Sequence, residues 1–216
     1  MRNLKFQMFL NRIKYNIIAK IVLINILFYV LTMYILPNSI VNQLVGFSFL
    51  NENFKIWQPI TSMFMHAGII HLLLNMIALY SFKHVFKFYE DWKFLVLYFT
   101  SGIVGYIFQS LLSDPSIPMV GASGAVFGIL GAIAILEPDS KIQIIFLPFI
   151  NFKAKYIISF FLVLELILGI LVKDGIGHFC HFGGGITGLI VAGFYLTKKI
   201  PVYLKFKFGS SSNRSF

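Results

Sequence analysis

Ser123, His66, His71, Asn75, His178 and His181 are polar residues set in apolar sequence, and a hydroxyl among imidazoles is the equipment of acyl transfer. A serine hydroxyl is a weak nucleophile until a base takes its proton, and one positioned imidazole suffices. Ser123 stands in Gly121-Ala122-Ser123-Gly124 and opens an apolar run that ends at Glu137-Pro138-Asp139. As a helix, that run of about 14 residues reaches only ~21 Å, against a bilayer hydrocarbon core of ~30 Å. If Glu137 marks the inner surface, Ser123 lies below the outer one. A hydroxyl at a helix N-terminus at that depth, beside non-helical backbone, must line a protein cavity rather than touch lipid.

The elements that carry these residues follow from composition. The 216 residues are 58% hydrophobic and 12% charged, with a mean hydropathy of +0.83, which excludes an ordinary soluble domain. Apolar runs at 17–36, 60–82, 94–112, 122–136, 156–172 and 176–197 predict six membrane helices. The expected fold class is an all-α polytopic membrane protein, a six-transmembrane-helix bundle with a short fourth helix. It occupies 17–197, between a basic N-terminal stretch 1–16 and a basic tail 198–216 whose Gly209-Ser210-Ser211-Ser212 predicts disorder. Counting up from the inner basic boundary at ~1.5 Å per residue puts His71 ~18 Å above Lys83 and His181 ~25 Å above Lys198. Ser123 and these two imidazoles therefore share one layer. Asn75 lies four residues beyond His71 on the same helical face but about one turn deeper, at ~12 Å.

Net charge of +10 invites a nucleic-acid reading, and the distribution of charge argues against it. In the six-span register all eighteen lysines and arginines except Lys55 and Lys173 fall on one side. The positive-inside rule then puts both termini in the cytoplasm or its equivalent, and the basic excess is a topology signal. The first apolar run is too long for a secretory signal and no small-x-small site follows it, so it is expected to stay as a span. The single cysteine, Cys180, excludes an internal disulfide.

Each polar residue also has a plainer role. A lone membrane histidine often hydrogen-bonds a neighbouring helix, and His66 and His178 suit that role. Gly124, Gly128, Gly183, Gly184, Gly185 and Gly188 permit close helix packing, as small-xxx-small patterns do. That packing is compatible with a site, since it would bring the fourth and sixth spans close enough for Ser123 to meet His181. Three histidines can ligate zinc, but no His-Glu-x-x-His motif is present, and no metal or other cofactor is expected. Cys180 adjoins His181, so on a helix their side chains diverge by ~100°. Glu165, in the middle of the fifth span and far from any obvious cation, either turns into the bundle or marks a misdrawn span.

At these residues the chain resembles the rhomboid family of intramembrane serine proteases. Gly121-Ala122-Ser123-Gly124 is similar to the family's Gly-x-Ser-Gly. His66 with His71-Leu72-Leu73-Leu74-Asn75 resembles its second-span pattern, and His181-Phe182-Gly183-Gly184 with Gly188 its sixth-span motif. The motifs reach from Trp57 to Gly188. The resemblance implies that Ser123 is the nucleophile and His181 its general base, in a dyad without a carboxylate. It implies that His71, Asn75 and the Ser123 amide hold the oxyanion, that His66 is structural, and that Gly121, Gly124, Gly184 and Gly188 shape the site. Trp57-Gln58 replaces the Trp-Arg found in many rhomboids, so the family's arginine brace for the first external loop is missing. The segments Ser113–Pro118 and the Trp57 loop are expected to border the cavity mouth.

The stretch from Ile144 to Lys155 is similar to small bacterial rhomboids, with some likeness to mitochondrial ones. The resemblance implies an inner (cytoplasmic) membrane location, with the mitochondrial inner membrane as the other possibility. The expected partners are transmembrane protein substrates and the lipid bilayer. Two other classes remain: an inactive relative that binds membrane helices as a chaperone or adaptor, and a small transporter. Retention of Ser123 and His181 argues against the first. The second would want broken helices in both halves or paired intramembrane charges, and no inverted repeat is visible.

Overall fold

The computed structural model describes residues 17–86, 90–144 and 147–196. The expectations for the N-terminal stretch 1–16 and the tail 198–216 lie outside them. Helix α1 spans Ile17–Ile35; its apolar residues point in every direction, with Leu27, Tyr34 and Ile35 exposed. Such a helix suits contact with lipid, which accepts apolar surface that water would not. Helix α2 is Asn38–Leu44. Helix α3 runs from Gln58 to Phe64 and α4 is Ile69–Ser81, followed by the short α5, Lys83–Phe86. Helix α6 is Asp91–Leu112, α7 is Ser123–Leu136, α8 is Ala154–Leu171, and α9 is His178–Val191, extended by a wider turn over Ala192–Leu196.

Helices α1, α6 and α8 are each long and apolar enough to cross a membrane. The pair α3 and α4 qualifies as a fourth crossing only when taken together, and it is bent by 94° at residues 65–68. The described residues are thus mostly helical, with three to four candidate spans and two shorter apolar helices, α7 and α9, among them. The predicted unbroken second span over 60–82 is corrected here. Met65 and Gly68 take extended backbone and stop α3 before α4 begins. A hydropathy window registers apolar composition and is blind to two extended residues inside it.

The all-α expectation also needs correction. Strands β1 (Lys141–Ile144) and β2 (Leu147–Lys153) form an antiparallel hairpin between α7 and α8, pairing Lys141 with Lys153 and Ile142 with Phe152. Exposed Lys141 and Gln143 alternate with half-buried Ile142 and Ile144, the two-residue period of a strand with one covered face. Asp139 pairs with Lys153 at 3.1 Å and Lys155 at 3.0 Å at the base of this hairpin. Those two ammonium groups hold its carboxyl below the usual carboxylate range.

Helix α7 is the centre of the bundle. Ala122, Ala125, Ile129, Ala132 and Ile133 are buried, and α6, α8 and α9 pack around it. Glycines set the spacing between α7 and α9. A methyl group at Gly184 would overlap the carbonyl of Gly124, and one at Gly188 the carbonyl of Gly128. At about 1.5 Å per residue α7 is ~12 Å shorter than the 22-residue α6 beside it. Its N-terminus ends beside a cavity lined by residues of α4, α6 and α9.

The connection from α1 to α3 is fastened rather than loose. Gly46 and Met119 form an antiparallel bridge (3.0 and 2.8 Å), the Ser48 hydroxyl donates to the Ser110 carbonyl, and the Asn51 amide donates to Pro115. The expected lack of a brace is filled by the replacement itself. Gln58 is fully buried; its Oε1 accepts from the Phe47 and Lys55 N–H groups, and its amide donates to the Asn53 carbonyl. A carboxamide both donates and accepts, so it can satisfy loop donors and carbonyls that a guanidinium, donor only, cannot serve alike.

Candidate active site

Ser123 is the first residue of α7. The approach to it is pinned by the Gly121 N–H, which donates to the Ser62 carbonyl at 2.9 Å. Gly121 has φ of +126°, a conformation that side chains disfavour, and this turn aims Ser123 into that cavity. On α9, His181 lies on the face that meets α7. Its Nε2 is 2.8 Å from the Ser123 hydroxyl oxygen, and its ring stacks on Phe127 at 4.4 Å with the planes 6° apart. Close approach of the two helices at their glycines is what makes this reach possible.

The other nitrogen of His181 has a partner that the sequence reading did not supply. Glu165 turns from α8 into the bundle, and its Oε2 lies 3.0 Å from His181 Nδ1 and 2.7 Å from His178 Nδ1. The expectation of a dyad with no carboxylate differs from this arrangement. The far nitrogen of His178 lies 3.3 Å from Asp174. Glu165 had one available signal: it is the lone acidic residue of its apolar segment, and such residues default to functional candidates. Glu165, His178 and His181 present possible metal-ligand atoms within 4.8 Å of one another, yet two N–H···O hydrogen bonds account for these contacts.

A cavity of about 830 Å³ opens beside Ser123, lined by His71, Asn75, Gly121, Phe127 and His181 among others. Ile117 and Pro118 border it, as expected for the segment before α7, whereas Trp57 is not in its lining; the Trp57 indole donates instead to the Gln43 carbonyl. His71 sits in the first turn of α4 and faces Gly121. The point where a Gly121 side chain would begin is 2.8 Å from His71 Nε2 and 3.7 Å from the Ser123 oxygen. The Gly121 backbone thus packs directly against the His71 ring, with no room for a side chain between them. The Ser123 N–H, at the start of α7, has no acceptor within its own helix.

Asn75 lines the same cavity, with its Nδ2 donating to the His71 carbonyl one turn back at 2.9 Å. His66, in the break between α3 and α4, is buried and packs edge-on against His71 with ring centroids 5.1 Å apart. Cys180 faces the α6–α7 junction, where its sulfur meets Gly105 and Gly124, away from the His181 ring.

Residues 53–198 match the Rhomboid domain, two thirds of the chain. The chain is 32% identical over 164 residues to Rhomboid-like protease 3 of Toxoplasma gondii, covering 74% of this chain and 60% of that protein. It is 34% identical over 143 residues to RHOMBOID-like protein 4 of Arabidopsis thaliana, covering 65% of this chain and 34% of that one. It is 34% identical over 137 residues to Rhomboid protease GluP of Bacillus subtilis, covering 63% of this chain and 25% of that one. The chain thus spans between a quarter and three fifths of the length of these relatives.

Proposed function

Because the chain belongs to the rhomboid family, we propose that it is an intramembrane serine endopeptidase in which Ser123 attacks the scissile carbonyl and His181 takes its proton. The observation that carries this reading is the 2.8 Å contact between the Ser123 hydroxyl and His181 Nε2 at the wall of an open cavity. The serine oxygen forms a bond to the carbonyl carbon, and the proton held on His181 then passes to the leaving amine as the C–N bond breaks. Water entering the same cavity, activated by the same imidazole, releases the acyl group.

The tetrahedral intermediate carries an oxyanion, and aimed donors in a low-dielectric site stabilise it strongly. His71 lines the same cavity as Ser123, which supports it as a donor to that oxygen. The Ser123 N–H and the positive end of α7 contribute to the same field. Asn75 acts from the same cavity, through its own amide or by fixing His71 through the carbonyl contact. His66 supports His71 from behind.

This protein is a multi-pass membrane protein, and we read it as a six-span bundle with both termini cytoplasmic. The short helices α7 and α9 complete the count, and the basic residues cluster on one side. A bacterial cytoplasmic membrane suits that polarity. Substrates are transmembrane segments of other membrane proteins, cut near the external end. A peptide bond inside a regular helix is shielded by its own hydrogen bonds, so the cleaved stretch should contain helix-weakening residues such as Gly or Pro. Labelling with a fluorophosphonate probe in detergent tests the reading. The wild type should label, Ser123→Ala should not, and His181→Ala should lose cleavage while keeping its thermal unfolding transition. An unlabelled wild type that also fails to cleave a model transmembrane substrate would refute it.

A further inference from the structure

Helix α8 carries one carboxylate in an otherwise apolar stretch, and that group lies where it touches two imidazoles. An ionised carboxylate at membrane depth is expensive unless hydrogen-bonded or paired. Glu165 meets that requirement by accepting from His178 Nδ1 at 2.7 Å and His181 Nδ1 at 3.0 Å. A neutral imidazole has a single N–H. With that N–H committed to Glu165, His181 must present a lone pair at Nε2, the atom that faces the Ser123 hydroxyl.

We propose that Glu165 is a positioning residue for His181, fixing its tautomer and stabilising its protonated form, so that this chain runs on a Ser123–His181–Glu165 triad. The proposal rests on the serine-protease reading above. When Ser123 attacks, its proton moves to His181 Nε2 and the ring gains a positive charge while Glu165 stays ionised. The carboxylate 3.0 Å away stabilises that cation. The proton then leaves with the amine, and the pair returns to its starting state. Phe127 fixes the plane of the ring, Glu165 its rotation and its proton. His178, whose far nitrogen lies 3.3 Å from Asp174, shares the carboxylate with His181. The other titratable groups near the cluster, among the described residues, are His71 from α4 and Cys180 on α9.

Two variants with opposite expected shifts test the proposal. Glu165→Gln keeps the side-chain shape and an acceptor oxygen but removes the charge. It should lower kcat at least tenfold with KM unchanged, short of the ~10⁴-fold loss seen when a triad carboxylate is neutralised with the wrong tautomer. The acid limb of its pH–rate profile should move down, because the protonated imidazole loses its counter-charge. His178→Ala leaves the carboxylate to His181 alone and should move the acid limb up. It serves as an independent readout if Glu165→Gln fails to fold, which thermal unfolding in detergent reports. A purely structural role would change unfolding and leave both limbs in place. An active wild type whose acid limb stays fixed in both variants overturns the triad and leaves the serine-protease reading standing. A wild type that neither cleaves nor labels refutes that reading, and the triad with it.

Discussion

Gly121→Ala tests the seat of the His71 ring beside Ser123. Two effects are expected, and they differ in kind. The backbone at Gly121 has φ of +126°, where a side chain is strained, and holding a non-glycine residue in such a region costs about 1–3 kcal/mol. The added methyl carbon would also stand 2.8 Å from both Cε1 and Nε2 of His71. Carbon contacts relax to ~3.5–4.0 Å, so the imidazole must withdraw or the turn must shift. Either movement displaces the His71 ring from its place beside Ser123, and loss of one oxyanion donor costs about 10²–10³ in kcat. Gly175→Ala supplies the comparison for stability. Gly175 has φ of +80° with open space around its missing side chain, so its alanine variant carries backbone strain without the clash. The assay pairs thermal unfolding in detergent with kcat for a tagged single-span substrate. Gly121→Ala should lose at least as much stability as Gly175→Ala, and it should lose activity by the larger factor given above. If Gly121→Ala unfolds at a lowered temperature but cleaves at the wild-type rate, His71 is not an oxyanion donor.

Asn75→Ala should slow cleavage by about a hundredfold while Ser123 still labels slowly with the fluorophosphonate; unchanged turnover would remove Asn75 from the site. Gly188→Ala pushes a methyl into the Gly128 carbonyl and should destabilise the protein by about 1–3 kcal/mol, read as a lowered unfolding temperature; an unmoved transition would contradict the close α7–α9 packing. Activity should survive exhaustive treatment with EDTA or phenanthroline, because Glu165, His178 and His181 are already joined by hydrogen bonds; loss with recovery on added zinc would make that cluster a metal site. Mass spectrometry of substrate fragments should place the cut near the external end of the span, and cuts at the cytoplasmic end would contradict both the topology and the depth of Ser123.

The sequence by itself marked which residues could do the chemistry, by their types and spacing. That Ser123 and His181 could meet was legible from the glycines of their two helices, which permit the close approach the structure contains. The membrane character and the predominance of helices were legible from composition, since apolar surface on all sides has no place in water. Residue counting gives height and says nothing of rotation, which depends on how neighbouring helices pack. Glu165 illustrates the difference: its segment was plain, but its two histidine partners follow only from how α8 lies against α9. The break at residues 65–68 escaped because two extended residues leave hydropathy unchanged, and the hairpin at 141–153 because its strands are short. Gln58 is the clearest case of tertiary control. Its carboxamide binds groups contributed by Phe47, Asn53 and Lys55, and only the folded loop brings that set together.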